Sequence, residues 1–300
     1  MLRTLIEIAR HELVVALRTR RALMGAALYL GAASIGGLAY ARIVRRIEQT
    51  AIDVIQSQSG MDSAQAAEAV RLNAESGYQD VLAWFAGVPI DELAPSLVGS
   101  PVLPMFLWCS LSFLPFLILL TSFDQLASDL QARSLCYSTL RARRSEILLG
   151  KALAHTAIFV VLTAASSVVL LLIAGSAFAS GSFSEAVPGM LRIWLLLIPF
   201  GITYLGITSF SSVIARQPFS ALLLAIGIAA LLRMLSWLGG LPEGHPLALL
   251  RPLEWMSPAM HQSGFWRAGI AAPAGSALAY AVIGGAFLLA AAAQLERRDL

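Results

Sequence analysis

Six stretches of the chain are apolar over lengths that a soluble core does not need: residues 22–41, 102–122, 151–174, 193–214, 218–238 and 272–294. Crossing about 30 Å of hydrocarbon at about 1.5 Å per residue takes about 20 mainly apolar residues, and each stretch meets that length. Lipid gives an open strand edge no partner, so all six are predicted to be helices. The pattern between them differs from piece to piece. Residues 2–19 set Leu2, Leu5, Ile6, Ala9, Leu13, Ala16 and Leu17 at helical spacing, with Arg3, Glu7, Arg10 and Arg18 elsewhere on the wheel. That predicts an amphipathic helix over 1–21, lying along the membrane with its arginines among anionic lipid headgroups. In segment 42–101, Ile43, Ile47, Ala51 and Ile55 recur every four residues, so the first spanning helix is expected to continue beyond the membrane. Asp62 with Gln65 has the form of a capping box opening a helix over 63–75, and Gly87-Val88-Pro89 with Pro95 to Pro101 reads as a loop returning to the membrane.

Segment 123–150 is too polar to span. Its acidic residues, Asp124 and Asp129, precede its basic ones, Arg133, Arg141, Arg143 and Arg144, which is the order a helix dipole favours. One or two short, solvated interfacial helices are expected there. Segment 239–271 is cut by Pro242, Pro246, Pro252 and Pro258. Leu247–Leu250, Trp255 and Phe265-Trp266 make it too apolar for a free loop, so it reads as an interfacial hairpin or a re-entrant element. Residues 295–300 form a short tail. The fold class is therefore an all-α polytopic membrane protein: six transmembrane helices, an N-terminal amphipathic helix and a helical insertion between spans one and two.

Composition sharpens this. Of 300 residues, 58% are apolar and 13% charged, whereas a soluble chain is about half apolar and about a quarter charged. The net charge of +3 gives no reason to expect a nucleic-acid partner. Counting basic residues sets the orientation. With the N-terminus inside, 13 of the 21 fall on the inner side: Arg3, Arg10, Arg18, Arg20, Arg21, Arg133, Arg141, Arg143, Arg144, Lys151, Arg216, Arg297 and Arg298. Trp84, Trp108, Trp194, Trp237, Trp255 and Trp266 then all lie on outer loops or outer helix ends. Both termini are expected in the cytoplasm. Ala39-Tyr40-Ala41 imitates a signal-peptide cleavage site, but the apolar run is long and a charged amphipathic segment precedes it.

Candidate chemistry is sparse. His11-Glu12 starts a zinc-protease-like motif, yet Val15 stands where the second histidine belongs, and His245 and His261 have no cysteine or carboxylate at ligand spacing. No metal site and no catalytic residue are predicted. Two cysteines, Cys109 and Cys136, suggest no disulfide framework. Polar residues within spans are the candidates for lining a pathway: His155, Thr203, Tyr204, Thr208 and Ser209. Their ordinary reading, shared with Ser211 and Ser212, is helix–helix hydrogen bonding or bonding back to the carbonyl four residues earlier. Ala27/Gly31, Ala32/Gly36 and Ala281/Gly285 have the small-residue spacing of close helix packing. Arg192 and Arg233, near outer helix ends, are expected to snorkel to headgroups.

Together these pieces resemble the membrane subunit of ABC-2-type ABC transporters, bacterial exporters with a six-helix permease. IARHELVVALRTRRAL resembles that family's elbow helix, with Glu12 and Arg18 in the usual acidic and basic places. The stretch from Phe123 to Leu153 resembles the loop after the second span, through Asp124, Asp129, Ser134-Leu135 and Leu149-Gly150-Lys151. Trp255, Ser257-Pro258, His261, Gly264-Phe265 and the closing Glu296-Arg297-Arg298-Asp299-Leu300 resemble its last outer loop and terminus. The likeness extends over almost the whole chain apart from 42–101. The chain departs from the family pattern at Ala132-Arg133, where glycine is common, and at Arg141, where proline is common.

The resemblance implies that 123–150 holds the coupling helix for a separate ATP-binding subunit, with Asp124, Asp129, Arg133, Arg141, Arg143, Arg144 and Glu146 as the coupling residues. It implies two copies of that ATPase, a second permease (the same chain or a related one), and a place in the bacterial inner membrane. The chain itself is expected to hold no cofactor. Gly150-Lys151 is followed by Ala152 and preceded by Ser145 at the first glycine position of a Walker A pattern, so ATP and Mg belong to the partner. The competing readings are an ATPase-independent secondary transporter and an ABC-type complex acting on envelope lipids or proteins. The sequence carries no clear internal repeat and no intramembrane acidic residue for ion coupling.

Overall fold

The structure is a computed structural model. It describes residues 2–59, 62, 65, 79, 82–84, 86–99, 102–135, 139, 142–177, 183–215, 217–241 and 245–298. The helix expected over 63–75, Cys136, Arg141, Arg216, Pro242 and the last two residues lie outside this set, apart from the single positions Asp62 and Gln65.

The elements are α1 (Leu2–Arg18), α2 (Arg21–Ser59), a 3₁₀ turn at Ile90–Glu92, α3 (Pro95–Val98), α4 (Val102–Ser122), α5 (Ala127–Gln131), α6 (Arg144–Ala177), α7 (Phe183–Ile214), α8 (Pro218–Leu235), 3₁₀ segments at Ser236–Gly240, Pro246–Met256 and Pro258–Phe265, and α9 (Ala271–Glu296). Six candidate membrane spans, long and apolar enough to cross, lie in α2, α4 with α5, α6, α7, α8 with the following 3₁₀ turn, and α9. The protein is an all-α polytopic membrane protein.

The helices overrun the apolar stretches. α2 is 39 residues, about 58 Å at 1.5 Å per residue, and it runs unbroken through Ala39-Tyr40-Ala41. α6 begins at Arg144 rather than near 151 and α7 at Phe183 rather than near 193. For α6 the cause is a capping interaction: the Arg143 N–H, at the position before the helix, donates to Glu146 Oε2 at 3.1 Å.

α7 is the hub, packed on α4, α6, α8 and α9, while α2 lies across α4 and α6. The closest crossing joins α7 to α9. A Cβ on Gly206 would lie 2.5 Å from the Gly284 carbonyl oxygen, and one on Gly284 would lie 2.9 Å from backbone atoms of Ile202 and Thr203. At that approach Thr203 Oγ1 donates to the Tyr280 carbonyl at 2.7 Å. The small-residue pairs read from spacing are not the contacts used, because Gly31 and Gly285 face open space and Gly36 meets only the end of Met105. α2 instead closes on its neighbours through Gly25, against Thr121 and Leu117, and Gly37, against Leu170 and Ile173. Four-residue spacing marks a ridge of small side chains; which ridge faces a partner depends on the larger side chains around it.

The end of the bundle away from the termini is built on aromatic packing. Tyr280 is fully buried, donates to the Pro258 carbonyl at 2.5 Å, and meets Phe200, Phe265 and His261 ring to ring. Pro246 and Pro258 open two of the 3₁₀ segments, capped by His245 Nδ1 and Ser257 Oγ. The first of these segments exposes Leu247, Leu249, Leu253 and Trp255, and the second buries Pro258, Gly264 and Phe265. The insertion is joined to this loop. Ala94 N–H donates to Trp266 O at 2.9 Å, Ala268 N–H to Glu92 O at 2.6 Å, and Arg267 pairs with Glu92 at 3.2 Å. Segment 92–99 is thus docked, with Leu93, Ala94 and Leu97 buried, rather than simply returning to the membrane. Arg192 is not given over to headgroups, because its guanidinium donates to the Arg267 carbonyl. Arg233 donates to Gln262 Oε1 at 3.3 Å.

Candidate functional site

At the other end, α1, the segment 123–135, the start of α6 and the ends of α7 and α9 converge. The segment following α4 is less solvated than its composition suggests. Leu126, Leu135, Ile147 and Leu148 are buried with Val213, Ala291 and Leu295, and Ile8 of α1 packs on the same cluster. Two hydrogen bonds fix where α5 starts: the Leu126 and Ala127 N–H groups donate to Ser212 Oγ of α7 at 2.9 and 2.8 Å. Ser212 thereby satisfies backbone donors that a helix start leaves open. One turn earlier on α7, Ser209 Oγ accepts from Gln125 Nε2.

α5 stops in a Schellman motif. Ser134 N–H reaches back to Asp129 O at 3.0 Å and Arg133 N–H to Leu130 O at 3.3 Å, with Arg133 at φ 55°. This is the place at which the sequence departs from glycine, and an arginine there holds a left-handed backbone that L-residues adopt at a cost of about 1–2 kcal/mol. Arg20, which ends α1, has the same conformation, at φ 60°.

The centre of this end is Lys151. Its ammonium lies 2.9 Å from Glu12 Oε2 and 2.9 Å from Asp129 Oδ2, and the residue is buried at 8% exposure. The other oxygen of Asp129 accepts from Ser134 Oγ at 2.9 Å. α1 comes this close because position 150 is glycine: a Cβ there would lie 2.7 Å from Ile8 Cγ2 and 3.3 Å from the Leu5 carbonyl oxygen. The inward face of α1 therefore runs through Ile8, Ala9 and Glu12, while Ile6 and Leu17, which the periodicity places with the apolar stripe, stay exposed. Arg18 sits exposed in the last turn of α1, where a cation opposes the negative end of the helix.

Each residue named from sequence, Arg141 apart, has a definite place. Arg144 Nη1 lies 3.0, 2.9 and 2.7 Å from the carbonyls of Leu295, Glu296 and Arg298, closing the end of α9. Arg298 in turn donates to the Ile214 carbonyl at the end of α7, at 2.7 Å. Glu146 caps α6, and Asp124 is buried at 5% exposure. Arg133 and Arg143 are exposed, and Arg141 is outside the described residues. Among the span residues, Thr203, Thr208 and Ser209 have no exposure. Their hydroxyls are bonded to Tyr280 O, Leu205 O and Gln125 respectively. Tyr204 packs edge to face on Phe200, and His155 Nδ1 lies 3.1 Å from Ser122 Oγ. His155, Glu12 and Asp124 border a cavity of about 30 Å³, enough for a water. Among the described residues no three His, Cys, Asp or Glu side chains are grouped to hold a metal ion.

A family model described as ABC-2 family transporter protein matches residues 6–293. The chain belongs to the ABC-2 family. No curated protein matches it. In this ABC-2 chain, sequence reasoning missed Lys151, Ser212, Gln125 and Arg298 as organisers. Lys151 had a signal, since it is the chain's only lysine. The serines had none beyond their enrichment in one span.

Proposed function

We propose that this chain is the permease subunit of an ABC exporter in the bacterial inner membrane, with both termini cytoplasmic. It pairs with a second permease, a copy of itself or a related chain, and with two copies of a separate ATP-binding subunit that binds ATP and Mg and performs hydrolysis. The observation that carries this reading is the way α5 is mounted. Its start is fixed from beneath by Ser212, Leu126 and Ala127, and its end turns outward with Gln131, Ala132 and Arg133 exposed. A short helix seated on the spans and presenting its tip is suited to fit a groove of a soluble partner and pass displacement inward.

The coupling residues then divide by task. Arg133, Arg143 and Arg141 make charge-assisted contacts with the ATPase. Asp129, Glu146, Arg144 and Asp124 hold the loop and its neighbours in shape. Purifying the tagged chain from native membranes in mild detergent tests this. A stoichiometric soluble ATPase is expected to accompany it and to be lost from the double variant Arg133→Glu/Arg143→Glu. A monodisperse chain with no ATPase and no hydrolysis, under conditions that preserve a known ABC complex, supports the secondary-transporter reading instead.

A further inference from the structure

Three elements far apart in sequence share one ammonium. Lys151 stands on α6, Glu12 on α1 and Asp129 on α5, and the Lys151–Glu12 pair closes a separation of 139 residues. Burying an ammonium is costly and is offset only by close, well-bonded partners, and an apolar side chain of similar volume often replaces such a group at no loss of stability. Here both partners lie at 2.9 Å. The node holds two carboxylates around one cation, so it is not a simple pair. Without the lysine, Glu12 and Asp129 face the same point as like charges, and α5 is pushed away from α1. Without either carboxylate, one ion pair remains.

From this asymmetry we infer that Lys151 is a positioning residue whose role is to fix α5 against α1. Displacement of α5 then carries α1 and the start of α6 along as one body. Gly150 supports this by letting α1 approach within reach, and the second bond of Asp129, to Ser134, fixes the far end of α5 to the same centre. The inference rests on the permease reading for its consequence, though not for its geometry.

The test uses the full chain in nanodiscs, with Cys109 and Cys136 replaced by serine and spin labels introduced at the exposed positions His11 and Gln131. Distance distributions between α1 and α5 are compared for wild type, Lys151→Gln and Lys151→Arg, and ATP hydrolysis is measured in the co-purified complex of the same variants without labels. Lys151→Gln is expected to broaden the distribution and to lower hydrolysis several-fold. Lys151→Arg keeps a cation facing both carboxylates and is expected to stay near wild type in both. An unchanged distribution in Lys151→Gln, or a Lys151→Arg variant no closer to wild type than Lys151→Gln, overturns the inference. So does a broadened distribution with wild-type hydrolysis. Should Lys151→Gln fail to fold, Asp129→Asn reads the same link more mildly, and a wild-type distribution there also overturns it. If the distances behave as expected but no ATPase accompanies the wild-type chain, the positioning role stands and the permease reading fails.

Discussion

The two ends of the bundle are held together by different physics. At the end carrying the termini, charged and hydroxyl side chains reach across the sequence: Lys151 to Glu12 and Asp129, Arg144 to the end of α9, Arg298 to the end of α7, Ser212 to the start of α5. At the opposite end the ties are ring packing around Tyr280, a glycine crossing just beneath it, and backbone pairing of 92–94 with 266–268. The pieces at the first end bury a small apolar cluster around Leu126, Leu135, Ile147 and Leu148, but water would solvate their charged and hydroxyl groups equally well if they came away. They need specific long-range partners to stay in place. The pieces at the second end are apolar enough to stay by burial alone. Charge links at the first end are thus the ones that can be altered without dismantling the protein, which suits an end that passes on motion. The packed end sets stability.

The largest effect is therefore expected at the packed end. Tyr280→Ala removes a fully buried ring, and truncating a buried aromatic costs about 3–5 kcal/mol. Thermal unfolding in detergent is expected to show it as a large drop in midpoint. Loss of α5 contacts without a change in midpoint would break the comparison. Gly284→Val comes next. Its side chain would enter the backbone of α7, and overpacking of this kind costs about 1–3 kcal/mol. Gly285→Val, one position along and facing open space, is the control and is expected to leave the midpoint unchanged.

At the charged end, Arg144→Gln removes a guanidinium from three carbonyls. Hydrogen bonds to charged groups contribute about 1.5–3 kcal/mol, and partial exposure of this site puts the expected loss at the low end. The signature that sharpens the contrast is local: faster hydrogen exchange at the end of α9, with exchange in α7 beneath Tyr280 unchanged. A uniform rise across the spans would mean that the two ends are one cooperative unit.

What was legible in the sequence follows the same division. The six long apolar helices, the amphipathic N-terminal helix and the extension of α2 could be read because apolar length and helical period are local properties. The capping role of Glu146 is also local, but it comes without the serine or threonine that usually marks such a box, so the start of α6 was placed late. Lys151 could be counted as a positive-inside residue from sequence, but its pairing depends on a fold that closes 139 residues. Asp129 and Arg144 read as surface charges because solvated and internally bonded charges look alike in a single chain. The small-residue ridges of α2 and α9 could be found, and their facing could not, because that depends on the neighbours' side chains.

The smallest effect has the opposite sign. Arg133 holds the left-handed position at the end of α5, where glycine fits without strain. Arg133→Gly is expected to stabilise the turn by about 1 kcal/mol, read as a slight rise in unfolding midpoint. Arg133→Lys keeps both the strain and the charge and is expected to leave the midpoint unchanged. If the exposed guanidinium serves a partner surface, Arg133→Gly gains stability while losing ATPase association, and Arg133→Lys keeps most of it. Stability and coupling then move in opposite directions at a single residue of the charged end. At the packed end every truncation is expected to lower both together. An Arg133→Gly variant that is more stable and associates as well as wild type would mean that the strain serves no contact, and α5 would then act through its fixed mounting alone.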